Sequence, residues 1–517
     1  MMIFMRKFFK NHRYRIAFIS ILIITIFIRF YQLANVPHGM TWDEAAIGYN
    51  GFAILNTRRD EWLNRLPVSF MSFGDFKAPL AIYSNGFFTA LFGMNLWAVR
   101  LPFVLTSIFS VVGMMLLTEK ISQRKWALAA GAIMALSPWH IHYSRAGFES
   151  GMSLFFFIWS LYFIFTYLKS KQKRIWTMGL AVIFAVAAIY SYHSAKIVVP
   201  SVMLVLVIKY RREFLNRLFQ SIGVGVAGIA MLIPMLRDSV AGQGLERLGT
   251  TVLDDLAGFE LISLVFKQFM LHLSPLFLIM GETTTLRHGD GKWGVLFPTT
   301  LVLVVIGLGF GLNYLKNKKG ANELFYLGFF ILVLGLMPAA LGEEVPHSNR
   351  ALLALPGFIL LAVYGLKSLA TCKKDIILKS IFGSIALVHF LLFVAFISDY
   401  FTVFAKSSAV DFKDGYLEAF EFVVPFEEEV EKILFTSDYG QPYIYALFVR
   451  QTNPIWYQGG SLIKYEFRDE INLGDLARNK TIVVASNKDE MGLSQADKLI
   501  YGSDDEVRFK IYLPKDK

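Results

Sequence analysis

Residues 14–50 read YRIAFISILIITIFIRFYQLANVPHGMTWDEAAIGYN. An apolar run long enough to cross about 30 Å of hydrocarbon gives way, within a short polar stretch, to the adjacent acids Asp43 and Glu44. The residues before the run, MMIFMRKFFKNHR, are basic, and no small-residue cleavage site follows it. The run therefore reads as a retained first span rather than a removed leader. An acidic pair just beyond a span needs a reason.

The rest of the chain repeats the apolar pattern. Of 517 residues, 55% are hydrophobic, and the mean hydropathy is +0.49, as in a polytopic membrane protein and unlike a soluble chain of this length. Runs near 14–33, 96–118, 126–138, 151–168, 175–193, 196–208, 217–236, 294–315, 321–341, 350–366 and 376–398 predict an α-helical polytopic protein with about eleven transmembrane helices. Loops carrying EKISQRK, KSKQKR, KYRREFLNR, KNKK and KSLATCKK alternate with loops poor in Lys and Arg. The basic set joins the N-terminus on the cytoplasmic side, so the N-terminus lies inside and the C-terminus outside. The net charge of +11 thus signals topology, and no nucleic acid partner is expected. Cys372 is the one cysteine, which excludes an intrachain disulfide and a Cys₄ or Cys₂His₂ zinc site.

Two segments do not fit the alternation. Residues 259–281 are apolar, but counting them as one crossing would put KNKK outside, so they read as re-entrant or interfacial. Residues 79–93 predict an interfacial helix opened by Pro79. After residue 399 the chain turns polar. KILFTSD, KTIVVAS and VRFKIYLP have strand character and PYIYALFVRQ helical character. The domains are then 1–398, a membrane body with outer loops 34–95, 137–150, 237–293 and 342–349, and 399–517, a small extracytoplasmic α/β domain.

The outer loops concentrate ionisable groups at helix ends, where such groups are costly unless paired or hydrated. Each has a plain structural reading. Thr41 with Glu44 fits a capping box, which leaves Asp43 unassigned. Arg145 in SRAGFES fits an i, i+4 pair with Glu149. His140 and His142 form a His-x-His pair that is weak evidence for metal. Lys77 in FKAPL fits a snorkelling lysine before a proline-led helix, and GEEVPHSNR fits a helix start with a solvated Arg350. Together they offer more: carboxylates, cations and a large apolar body on one side of the membrane. Cations hold a lipid phosphate, an apolar groove holds its chain, and a carboxylate takes the proton of an attacking hydroxyl.

The acidic pair after the first span, the Lys77 element KAPL, Arg100 in VRLP and the Arg145-x₃-Glu149 loop resemble the C-type integral membrane glycosyltransferases, over roughly residues 14–370. The closest groups are the protein O-mannosyltransferases and the lipid A aminoarabinose transferases. KAPL lacks the first proline of the family's Lys-Pro-Pro-Leu element. The resemblance implies Asp43, Glu44 and Glu149 as catalytic acids, with Asp43 the base. It implies Lys77, Arg100, Arg145, His347 and Arg350 as substrate-binding groups, several of them on the lipid phosphate. It implies a polyprenyl-phosphate sugar donor, transferred with inversion at the outer face of a prokaryotic plasma membrane. The acceptor, whether glycan, lipid or protein, and the sugar stay open, as does a divalent metal. No Gly-rich phosphate loop is present, so no nucleotide is expected. A secondary transporter and a non-catalytic membrane scaffold are the competing readings. Against the first, the charges sit at helix ends rather than at the bilayer midplane.

Overall fold

The structure, a computed structural model, describes residues 12–240, 258–281, 283, 285–317, 322–372, 375–460, 462–477, 479–492 and 495–514. The basic stretch 1–11, the 241–257 part of the expected loop 237–293, and Lys318, Lys319, Lys373 and Lys374 lie outside the described residues.

Among the described residues, eight helical stretches are long and apolar enough to cross a membrane: Leu96–Ile121, Glu149–Lys169, Leu218–Val240, Gly258–Ile279, Pro298–Lys316, Glu323–Ala340, Ser348–Thr371 and Ser380–Ser407. Seven coincide with expected spans. The eighth, Gly258–Ile279, is the stretch read from sequence as re-entrant or interfacial. It is interrupted where Ser274 caps a new turn opened by Pro275, so its two pieces are shorter than a single crossing helix. Three further expected spans form shorter helices, Arg124–Leu136, Ile175–Ile189 and Ala195–Lys209, of 13, 15 and 15 residues. That is less than the roughly 20 residues a straight crossing needs. The first expected span is the 19-residue helix His12–Phe30. The helix expected over residues 79–93 forms as Pro79–Phe92, with Pro79 opening it.

Contacts divide the chain into two units, Met1–Tyr31 with Phe103–Ser398, and Gln32–Pro102 with Asp399–Lys517. The sequence reading placed residues 32–102 with the membrane body; the contacts group them with the C-terminal segment instead.

The first unit is a helical bundle held by close backbone approach and interhelical hydrogen bonds. A Cβ on Gly307 would stand 2.2 Å from the Leu361 carbonyl oxygen, and one on Gly365 would stand 2.2 Å from that of Leu303. Helices Pro298–Lys316 and Leu355–Cys372 therefore touch backbone to backbone, the small-residue packing that apolar surroundings favour. Ser153 and Ser160 donate to the carbonyls of Ala188 and Ala181 at 2.9 and 2.7 Å, tying Glu149–Lys169 to Ile175–Ile189. The span within Ser348–Thr371 is 83% buried, whereas those within Leu218–Val240 and Ser380–Ser407 are 11% buried and turn their apolar side chains outward.

The second unit holds a five-stranded sheet in the order Tyr465–Arg468, Lys432–Thr436, Thr481–Ser486, Val507–Tyr512, Lys498–Tyr501. The first three strands are parallel, and Val507–Tyr512 runs antiparallel to both of its neighbours, Thr481–Ser486 and Lys498–Tyr501. The three strands and the helix Pro442–Arg450 expected from sequence are present; the edge strands Tyr465–Arg468 and Lys498–Tyr501 were not anticipated. Tyr416 stacks on Tyr445 at 4.4 Å and Phe420 on Phe435 at 4.2 Å. Met40, Ala45, Ala46 and Tyr49 are buried in the same core as these rings. That explains the grouping: helix Trp42–Thr57 supplies one wall of the α/β core. Tyr445 donates to the Met40 carbonyl at 2.7 Å and Tyr49 to that of Thr452 at 2.9 Å. Gly39 has φ +87°, and a Cβ there would meet the Asp414 backbone at 2.6 Å, so this approach to the helix requires glycine.

Candidate active site

Helix Trp42–Thr57 begins with the expected capping box. The Glu44 amide donates to Thr41 Oγ1 at 3.2 Å, and the Thr41 amide donates to Glu44 Oε2 at 3.0 Å. Glu44 is buried at 1% exposure, and its charge is met by Arg100, itself 0% exposed, whose Nε lies 2.7 Å from Glu44 Oε1. The rest of the Arg100 fork is also used. Nη1 donates to the Leu33 and Pro37 carbonyls, both at 2.9 Å, and Nη2 donates to Gly39 at 2.7 Å and Glu44 Oε2 at 3.3 Å. A planar guanidinium can serve both a carboxylate and a curved run of carbonyls, which an ammonium cannot. Residues 33–44 are thereby locked into one shape.

Asp43, one residue earlier on the first turn, points elsewhere. Its Oδ1 lies 2.5 Å from Lys77 Nζ, with Asp43 27% and Lys77 7% exposed. Lys77 ends the short hairpin Phe70–Ser72 and Asp75–Lys77, paired Phe70 to Lys77 and Ser72 to Asp75. The hairpin leads directly into helix Pro79–Phe92. That helix packs on Trp42–Thr57 so tightly that a Cβ on Gly86 would stand 2.5 Å from the Gly51 carbonyl oxygen. Lys77 and Asp43 thus belong to two elements held in fixed register. The pair retains solvent access through the carboxylate, while Glu44 and Arg100 do not.

The other sequence candidates lie in the first unit. Arg145, fully buried, donates to the carbonyls of Ile28, Arg29 and Tyr31 at 2.5, 3.2 and 2.6 Å. These include carbonyls at the end of helix His12–Phe30, which lack helical partners. Glu149 opens helix Glu149–Lys169 and is half-buried, a favourable place for an acid. His347 caps the turn Ser348–Ala351 through the Arg350 amide and sits 3.7 Å from Glu344. Arg350 is half-buried, with Nη1 where a Cβ on Gly342 would lie.

His140 and His142 face different partners, the Arg29 guanidinium at 2.8 Å and the Arg287 carbonyl at 2.8 Å. Among the described residues, no three His, Cys, Asp or Glu side chains are arranged to hold a metal ion. Burial pushes His142 down to about 4. Burial, then the neighbouring His347, holds His288 well below the usual imidazole range. Both are neutral near pH 7.

Three residues absent from the sequence reading stand out. Tyr143 contacts Ser348 Oγ at 2.7 Å, and Ser348 donates to the His288 carbonyl. Their rings and hydroxyls link the 137–150 and 342–350 loops, a linkage no local motif announces. Glu61, fully buried, accepts from Asn50 Nδ2 at 3.3 Å through Oε1, while Oε2 has no hydrogen-bond partner. Burial raises it to about 8. The signal available in TRRDEWLNR was only an acid in a polar loop.

Residues 76–237 match the family model of the dolichyl-phosphate-mannose-protein mannosyltransferases. That stretch includes Lys77, Arg100, Arg145 and Glu149. Among solved structures, ArnT from Cupriavidus metallidurans bound to undecaprenyl phosphate superposes with a TM-score of 0.56 at 11% identity. The match covers 95% of this chain and 97% of that one. The chain shares the fold of ArnT. The oligosaccharyltransferase of Archaeoglobus fulgidus in its apo form gives a TM-score of 0.52 at 10% identity, over 92% of this chain and 70% of that one. AglB of the same organism, in complex with an inhibitory peptide and a dolichol-phosphate, gives 0.50 at 12% identity over the same shares. No curated protein matches by sequence. With its apolar helices and this fold, the chain is a multi-pass membrane protein.

Proposed function

We propose that this protein is a glycosyltransferase that moves a sugar from a polyprenyl-phosphate-linked donor to an acceptor hydroxyl at the non-cytoplasmic face of the membrane. The observation that carries the reading is the partly exposed Asp43–Lys77 pair, 2.5 Å apart, on a chain with this fold. Undecaprenyl phosphate bound to ArnT and dolichol-phosphate bound to AglB support a lipid-phosphate donor here.

In this reading Asp43 takes the proton of the acceptor hydroxyl as that oxygen bonds to the anomeric carbon. The bond from that carbon to the phosphate oxygen breaks, and the lipid phosphate leaves with the electron pair. Direct displacement inverts the anomeric centre. Lys77 places its ammonium beside Asp43. Its positive charge serves the departing phosphate, whose growing charge is where a cation lowers the barrier most. Glu44 and Arg100 act as positioning residues. Both are spent on the capping box and the 33–44 backbone, and their role is to hold Asp43 in place. Arg145 has the same character, since its donors serve backbone carbonyls. Within the first unit, Arg350 with His347 forms an anion-binding group of that unit, and Glu149 sets an acid at the start of helix Glu149–Lys169.

The test is reconstitution of the full chain in liposomes with polyprenyl-phosphate sugars and candidate acceptor hydroxyls. Transfer of sugar with release of free polyprenyl phosphate is the expected result. A purified chain that retains no polyprenyl lipid and transfers none of the sugars offered would refute the reading.

A further inference from the structure

The first unit contains a cavity of ≈ 420 Å³ among helices Glu149–Lys169, Ile175–Ile189, Ala195–Lys209, Arg211–Leu215 and Leu218–Val240. Its size is that of a small-molecule site. Its wall is made of side chains such as Ile164, Val182, Leu206 and Ile222, and the charged member is Arg211. Ser221, the one hydroxyl in the wall, donates to the Phe214 carbonyl instead, so water would find few partners there. One side is closed where helix Leu218–Val240 meets Val182, 2.6 Å from where a Cβ on Gly228 would lie. The other side is closed by the short helix Arg211–Leu215, pinned by the Lys173–Glu213 ion pair at 2.8 Å and by Phe214 stacking on Tyr167.

The mouth is basic. Arg211 and Arg212 are exposed, and Lys209 and Arg217 flank them in KYRREFLNR. This end lies at the far end of the 21-residue helix Glu149–Lys169 from Arg145, about 30 Å away at 1.5 Å per residue. An apolar slot with cations at one rim has the complementarity of a fatty chain under an anionic headgroup. We propose that this cavity binds one acyl chain of an anionic diacyl phospholipid, with its headgroup phosphate on Arg211 and Arg212. The bound lipid fills the gap between helix Leu218–Val240 and the bundle and fixes that helix.

The test uses the purified full chain, with native mass spectrometry after exchange into phosphatidylglycerol or phosphatidylcholine of the same acyl composition. Wild type is expected to retain phosphatidylglycerol in preference to phosphatidylcholine. Gly225→Phe fills the cavity. A Cβ at Gly225 meets nothing within 4 Å, so this variant should fold, shown by unchanged elution and melting, and lose the retained lipid. The double substitution R211Q/R212Q should keep the cavity but lower the preference on the order of tenfold or more. Equal retention of the two phospholipids, retention unaltered by Gly225→Phe or by R211Q/R212Q, or displacement of phosphatidylglycerol by polyprenyl phosphate would each overturn the proposal. These readouts do not depend on sugar transfer.

Discussion

Arg100→Lys keeps the charge and removes the fork. Arg100 makes five N–H···O contacts, two to Glu44 and three to the carbonyls of Leu33, Pro37 and Gly39. An ammonium has three protons, so at least two buried acceptors lose their donor. Each unsatisfied buried acceptor costs about 1–3 kcal/mol, which gives about 2–6 kcal/mol for the substitution. Arg100→Met goes further by leaving the buried Glu44 charge uncompensated, a change of about 3–5 kcal/mol for a broken buried pair. The assay is scanning fluorimetry of the purified full chain, with transfer rates measured well below the melting transition. Arg100→Lys is expected to lower the apparent Tm by several degrees. It should also cut kcat with little change in KM, because a loosened first turn displaces Asp43 without touching the donor. A melting temperature within about 1 °C of wild type together with full activity would refute the positioning role.

Four further outcomes follow from the geometry. Lys77→Ala should weaken binding of polyprenyl phosphate, read by lipid retention; unchanged retention moves the phosphate elsewhere. Glu61 holds its proton in the fold up to about pH 8, while the unfolded carboxyl loses it near 4.5, so the folded state binds the extra proton between these values. Stability is therefore full below about pH 4.5 and is lost as pH rises from there through about 8, by up to about 5 kcal/mol. Glu61→Gln should flatten the melting temperature against pH over that window, and an unchanged profile would remove Glu61 as the cause. Gly307→Ala should destabilise the protein by about 1–3 kcal/mol, because its Cβ would meet the Leu361 carbonyl, whereas Gly309→Ala meets nothing within 4 Å and should melt as wild type. Equal melting of the two glycine variants would contradict the backbone-contact packing.

What could be read from the sequence was local. The Thr41–Glu44 spacing announced a capping box that the structure forms, and the strand-like segments of the C-terminal part appear as strands. Long apolar runs such as 350–366 and 376–398 became long helices, because length and hydropathy alone suffice there. What could not be read depended on distant partners. Glu44 finds Arg100, 56 positions away. Arg145 donates to the carbonyls of Ile28, Arg29 and Tyr31, more than 110 positions away, a link that its local spacing in SRAGFES does not announce. His140 and His142 are two positions apart on a helical turn, so they diverge rather than converge on a metal. Helix Trp42–Thr57 looked like part of an outer loop. Its Ala45, Ala46 and Tyr49 face instead a core built from residues beyond 415, which no short-range pattern encodes.

The most direct test of the whole account is single-turnover sugar transfer by Asp43→Asn, with donor lipid bound beforehand and its retention measured in the same sample. Asparagine keeps the size of the side chain and loses the proton acceptor. The account predicts wild-type lipid retention with a rate lower by about 10²–10⁴-fold. A rate near wild type with donor bound would contradict it.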